Sequence, residues 1–165
     1  MNAPAPTGRL VPAADGQDLV FARTLPGSLE DSWASITEPE RTARWIGAWE
    51  GEGAVGATIR LRLGFEEESP WADVRITECD RPRRLRVLSI DEAGAWDVSM
   101  ELTPAGERTE LRFTMHAVDA TTIGDVGPGW EWYLDQLIAS MSDAPLPPFE
   151  DYYPAQREYF AALAR

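Results

Sequence analysis

The chain holds few groups that could do chemistry. Covalent catalysis needs a nucleophile with a base beside it, yet the only imidazole is His116 and the only thiol is Cys79. Strand phase turns His116 away from the apolar side of the sheet described below. Cys79 stands at the end of a strand, next to the turn Asp80-Arg81-Pro82. One histidine and one cysteine cannot build a His- or Cys-rich metal site, and a lone cysteine closes no internal disulfide. The run "GEGAVGA" (51–57) precedes a strand, whereas a phosphate-cradling loop opens a helix. Glu66, Glu67 and Glu68 read as the solvated tip of a hairpin. No catalytic residue is assigned, no cofactor and no metal is implied, and an enzyme is the weaker expectation.

What the sequence does supply is indole. Trp33, Trp45, Trp96 and Trp130 fall on four different segments that surround one space if the chain folds as argued below. Buried indoles need a partner for their N–H, and pockets for flat or apolar molecules are lined by such rings with a few polar groups. The expected ligand-binding set is Trp33, Trp45, Phe65, Trp96, Met100, Met115, Trp130, Tyr133 and Leu134. Trp49, Trp71 and Trp132 read as surface or peripheral rings by phase and position.

The segments that must position these rings follow from local signals. Residues 1–17 are rich in Pro, Ala and Gly and read as an extended N-terminal lead-in. "DLVFARTL" from Asp18 alternates as a strand and stops at Pro26-Gly27. Ser28 is a helix N-cap with Glu30 and Asp31 in the first turn, for a short helix to about Ile36. Thr37 and Glu40 have capping-box spacing, which predicts a second short helix ending near Gly47. From Trp49 to Val118 strand follows strand, with turn signals between and no helical segment, so the strands form an antiparallel meander. One phase carries Ile59, Leu61, Leu63 and Phe65, then Ala72, Val74 and Ile76, Leu85 and Val87, Trp96 to Leu102, and Leu111 to Ala117. The other carries Arg84, Arg86, Asp97, Glu101 and Arg112, a charged face on which opposite charges meet across strands.

One apolar sheet face must be covered, and one helix is long enough to do it. The helix is expected from near Pro128, after the punctuation Gly127-Pro128-Gly129. Its stripe is Trp130, Tyr133, Leu134, Leu137 and Met141, spaced i, i+3, i+4, i+7 and i+11, with Glu131, Asp135 and Ser140 on the opposite polar face. Trp132 lies about 160° round the helix from Trp130 and belongs against a loop or the tail. Residues 143–165 form a proline-rich linker and a short amphipathic tail helix.

This order, together with "ITEPERTARWIG", "GATIRLRL", "ITECDRPRRLRV", "AWDVSMELTPAGERTELRFTM" and "GPGWEWYLDQL", resembles the START-like (SRPBCC) superfamily, and within it the branch named for the activator of heat-shock protein 90 ATPase. The resemblance implies an α+β helix-grip fold over 18–142: a curved antiparallel sheet wrapped around a long C-terminal helix, with two short helices between the first two strands. It also implies an apolar cavity between sheet and helix. A small apolar or aromatic ligand is the first expected partner. The family name adds a co-chaperone or other protein-interaction role as the alternative, and relatives add a cyclase- or hydrolase-type enzyme as a third.

Composition narrows the partners further. With 28 acidic against 15 basic residues the net charge is −13, which repels phosphate backbones and anionic headgroups, so nucleic acid and membrane are excluded as expected partners. No apolar run reaches membrane-spanning length, and the first residues lack the pattern of a signal peptide, so a cytoplasmic monomer or homodimer is expected. At this length roughly two-thirds of the unfolded chain's surface can be buried, enough for a core with a cavity inside it.

Overall fold

The computed structural model describes residues 4–91 and 94–165. Eight strands form one antiparallel sheet in the order β1-β2-β8-β7-β6-β5-β4-β3. β1 is Arg9–Ala13, β2 Gly16–Leu25, β3 Trp49–Glu50, β4 Thr58–Arg62, β5 Trp71–Asp80, β6 Arg84–Asp91, β7 Gly94–Ala105 and β8 Arg108–Met115. Helices α1 (Leu29–Thr37) and α2 (Pro39–Thr42) connect β2 to β3. After β8 come α3 (Ile123–Met141), a short 3-10 turn at Phe149–Asp151 and α4 (Arg157–Leu163).

The meander from β3 to β8 and the covering helix match the helix-grip reading. Part of the lead-in is itself a strand: β1 pairs with β2 from Arg9 opposite Val20 to Ala13 opposite Gly16. Pro12 is tolerated there because β1 is an edge strand. The two short helices therefore follow the second strand, not the first. Ser28 caps α1 by accepting from the Asp31 N–H at 3.1 Å. The capping box does not form, because α1 runs on through Thr37 and the Thr37 hydroxyl donates back to the Trp33 carbonyl at 2.7 Å.

The two sheet faces divide as the phases predict. Leu19, Phe21, Leu111 and Phe113 point inward and are buried. Outside, Arg86 pairs with Asp97 at 2.8 Å, Arg84 pairs with Glu101, and Glu78 lies 3.4 Å from both arginines. The hydrogen bond from Arg86 holds the Asp97 carboxyl below the usual carboxylate range. Such exposed pairs each add a few tenths to about 1 kcal/mol. One irregularity interrupts the alternation. The register between β5 and β6 shifts between Ile76, opposite Val87, and Glu78, opposite Arg86, so Thr77 is a bulged residue. An extra residue inverts the phase beyond it, and Cys79 and Arg81 turn to the inner side.

α3 departs from expectation at its start and on its polar face. It begins at Ile123 and contains Pro128 in its second turn. Ile123 is buried, and Gly124 and Gly127 lie against α4. Tertiary packing thus extends the helix through a local stop signal. A Cβ on Gly127 would stand 2.5 Å from the Phe160 ring, and one on Gly8 would stand 2.6 Å from it. Phe160 is fully buried in the socket those two glycines leave, beside Phe21.

Glu131 and Asp135 are not a solvated face. Glu131 is 1% exposed and accepts hydrogen bonds from Arg23 Nη2 at 2.5 Å, the Gly8 N–H at 2.9 Å, the Thr7 hydroxyl at 2.7 Å and the Thr7 N–H. Asp135 accepts from Arg23 Nε at 2.9 Å and from the Tyr152 hydroxyl at 2.7 Å. The lead-in and the tail cover this side of α3, a fact that helix periodicity does not carry.

The glycines of the "GPG" run should respond oppositely to alanine. Gly129→Ala meets nothing within 4 Å and should stabilise by up to about 1 kcal/mol through helix propensity. Gly127→Ala has the same propensity gain but must displace Phe160, at a cost of about 1–3 kcal/mol. Thermal unfolding of the two variants should therefore move in opposite directions from the parent. A Gly127→Ala protein as stable as Gly129→Ala would contradict the socket.

Candidate functional site

The backbone of α3 comes closest to the sheet at β2, where Arg23 reaches Glu131 and Asp135. On the β4–β7 side, under α1 and α2, the helix meets the strands through few side chains, and two chambers that share lining residues lie there. The first, about 320 Å³, is walled by Trp33 and Ile36 of α1, Trp45 and Trp49 of the following loop and β3, and inward residues of β4 to β7 such as Val87 and Met100. The second, about 580 Å³, lies towards the start of α3 and is bounded by Met115, Ile123, Val126 and Tyr133, with Glu66, Asp119 and Asp125 as its carboxylates. Trp96 and Trp130 line both. Their rings meet edge to face at 5.9 Å, and Trp130 is packed in turn on Phe113 at 4.7 Å and Tyr133 at 5.6 Å.

Of the residues expected at the site, Trp33, Trp45, Trp96, Met100 and Trp130 line the first chamber. Met115 and Tyr133 join Trp96 and Trp130 in the second. Phe65 and Leu134 line neither. Phe65 stands edge-on to Trp132 at 6.3 Å, and Leu134 is fully buried in the core. Trp132 donates its N–H to the Pro147 carbonyl at 2.8 Å and packs on Phe149 of the tail at 5.0 Å. Trp71 is at the surface, 43% exposed, with the Arg60 guanidinium 4.5 Å from its ring centre.

Three groups at the site escaped the sequence reading. Trp49 lines the first chamber and gives its N–H to the Thr37 carbonyl at 2.8 Å; a two-residue strand offers no alternation by which to place it. Glu66 is not merely part of a solvated run, for it accepts a hydrogen bond from the Tyr133 hydroxyl at 2.6 Å and so ties the β4–β5 loop to α3. Burial, reinforced by Glu66, holds the Tyr133 hydroxyl well above the ordinary tyrosine range, so it stays a donor. Arg81 borders the first chamber because of the bulge at Thr77.

A serine, a histidine and an aspartate do meet, on the outer face. Ser99 Oγ lies 2.8 Å from His116 Nε2, and His116 Nδ1 lies 3.5 Å from Asp18 Oδ2. The order suits a nucleophile, a base and an orienting carboxylate, but Ser99 is 1% exposed and lines neither chamber. A substrate carbonyl cannot approach that oxygen, and the trio acts as a tie between β2, β7 and the end of β8.

A curved antiparallel sheet gripping a long helix, with an indole-lined cavity between them, defines the helix-grip class. The chain belongs to the family described as activator of Hsp90 ATPase homolog 1-like protein, whose model matches residues 27–142. Among solved structures it is similar to CalU16 from Micromonospora echinospora, at 22% identity and a TM-score of 0.79, with 98% of each chain covered. It is also similar to DynU16, a protein of the dynemicin biosynthetic locus, at 18% identity and a TM-score of 0.68, over 80% of this chain and 50% of that one. The Aha1 dimer from Colwellia psychrerythraea is similar at 18% identity and a TM-score of 0.64, over 75% of this chain and 95% of that one. These likenesses establish the shared fold. No curated protein matches the chain in sequence. No described helix is long and apolar enough to cross a membrane.

Because Ser99 is sealed, Ser99→Ala should leave hydrolysis of p-nitrophenyl acetate at the parent's level. A fall of tenfold or more in that rate would make the outer trio catalytic.

Proposed function

We propose that the protein binds a small, mainly apolar organic molecule in the space between sheet and α3. The observation that carries this reading is the pair of chambers meeting at Trp96 and Trp130. Their combined size suits a drug-sized ligand, and the walls of the first are apolar and aromatic with few polar groups, as in sites that bury small molecules. A folded protein of this size does not ordinarily leave such space between its only covering helix and its sheet. DynU16's place in a biosynthetic locus accords with a small-molecule partner for this fold. Tyr133 is the inward polar group best placed to meet a ligand's polar end in the second chamber, and its link to Glu66 favours holding over turnover.

A second reading draws on the family description and on exposed Trp71, which is bracketed by Arg60 and Arg62 within 5.6 Å. An aromatic ring flanked by guanidinium groups suits a protein contact. On that reading the protein would change the ATPase rate of a heat-shock protein 90 chaperone, and Trp71→Ala would remove the effect.

The ligand-binding reading is tested with N-phenyl-1-naphthylamine, whose fluorescence rises in apolar surroundings, alongside native mass spectrometry of freshly purified protein. Saturable binding is expected. Val87→Phe, which places a ring in the first chamber, should weaken it at least tenfold while the protein keeps its fold. Absence of saturable binding by the parent would sink the reading.

A further inference from the structure

The first chamber is apolar apart from a few groups, and two of these lack a partner in the protein. Trp33 is 4% exposed, yet its indole N–H meets no acceptor among the described residues. Its neighbours in the same wall are satisfied, since Trp45 gives its N–H to the Ser35 carbonyl and Trp49 to that of Thr37, each at 2.8 Å. That N–H is not among the fully buried atoms left without a partner, and Trp33 lines the cavity, so an acceptor held in the cavity can meet it.

Arg81, an exposed residue, is the second such group. Among the described residues it is the only charged one lining this chamber, and it makes no ion pair. The nearby Arg84 and Arg86 are both paired with acids of the outer face. Arg81 is separated from those acids by geometry. Beyond the bulge at Thr77, Glu78 and Asp80 stand opposite Arg86 and Arg84 on the outer face, while Cys79 and Arg81 border the chamber. The bulge thus directs a guanidinium, a planar donor suited to oxyanions, to the mouth of an indole-lined space.

The second chamber has the opposite character. It is bordered by Glu66, Asp119 and Asp125 together with His116, and neither Lys nor Arg is in its lining. An anion in the cavity is therefore repelled from one end and met by Arg81 at the other.

We infer that the ligand of the first chamber is an aromatic molecule with an oxygen acceptor: a carboxylate, sulfonate or comparable oxyanion facing Arg81, with an oxygen within reach of the Trp33 N–H. This rests on the reading that the cavity holds a ligand, and adds the polarity and orientation of that ligand. The rings lie towards Trp96 and Trp130, and the oxyanion lies at the Arg81 mouth.

A matched pair of probes separates the two claims. 8-Anilino-1-naphthalenesulfonate is N-phenyl-1-naphthylamine with one sulfonate added, so any difference between them reports the oxyanion. At 0.15 M salt the sulfonate is expected to bind roughly tenfold more tightly than its neutral twin, the size of one hydrogen bond to a charged group. Arg81→Gln should remove that advantage and leave the neutral probe unaffected. Trp33→Phe, which keeps the ring and deletes the N–H, should weaken the sulfonate a few-fold. Val87→Phe should block both probes. The inference is overturned, with ligand binding intact, if the neutral probe binds and the sulfonate is no tighter, or if Arg81→Gln leaves the ratio unchanged. It is equally overturned if the sulfonate still binds to Val87→Phe, since it is then held elsewhere. If neither probe binds the parent, both readings fall together.

Discussion

A cation on the inner face of a sheet has to be neutralised, and Arg23 of β2 is such a cation. Burial opposes its charge, but the carboxylates of Asp135 and Glu131 outweigh that and raise its pKa above the ordinary arginine value. Glu131 is in turn saturated by donors from Thr7 and Gly8. Removing one member would leave a buried charge unpaired, a loss of about 3–5 kcal/mol where such pairs have been broken elsewhere. The geometric consequence matters more than the energy. The ion pair holds α3 close to β2, and over β4 to β7 the cover is shared by α1, α2 and the Trp130 side chain of α3. The chambers occupy the space left there.

The covering helix is itself covered. α4 and the 3-10 turn lie on its outer side, with Phe160 seated between Gly8 and Gly127 and Phe149 packed on Trp132. The family model stops at residue 142, before this tail, whereas the likeness to CalU16 extends over almost the whole chain. Packing on the outer side of α3 adds to the Tyr133–Glu66 hydrogen bond on its cavity side in fixing its position. That is a physical condition for keeping an internal space open, because a helix free to move would settle onto the sheet and fill it.

The two faces of the sheet show how residue type and accessibility divide labour. The outer face holds charged and catalytic-looking groups, including the Ser99–His116–Asp18 trio, but Ser99 is buried there and only His116 of the three borders a chamber. The inner face has little that resembles chemistry, and its polar groups beside the chambers include Arg81 and Tyr133, the latter held by Glu66.

Much of the architecture was legible in the chain itself. Alternation assigned the inner and outer faces of β4 to β8, turn residues separated the strands, and the stripe from Trp130 to Met141 marked the one helix able to cover them. Periodicity works for these elements because each is long enough to show a repeat and one side of each is apolar. It also put Trp96 and Trp130 on the apolar sides of their elements. The sequence by itself could not locate the start of α3, since Pro128 and its glycines are local stop signals that close packing on α4 overrides. Nor could it show that Glu131 is buried, for that depends on residues more than a hundred positions away. The inward turn of Arg81 was equally hidden: one bulged residue at Thr77 inverts the phase, and a bulge is settled by how β5 pairs with β6. The sequence determined which residues share a face, because that follows from backbone geometry within one element. Tertiary structure alone decided which of them face empty space, because that depends on how far α3 is held from the sheet by contacts at its other side.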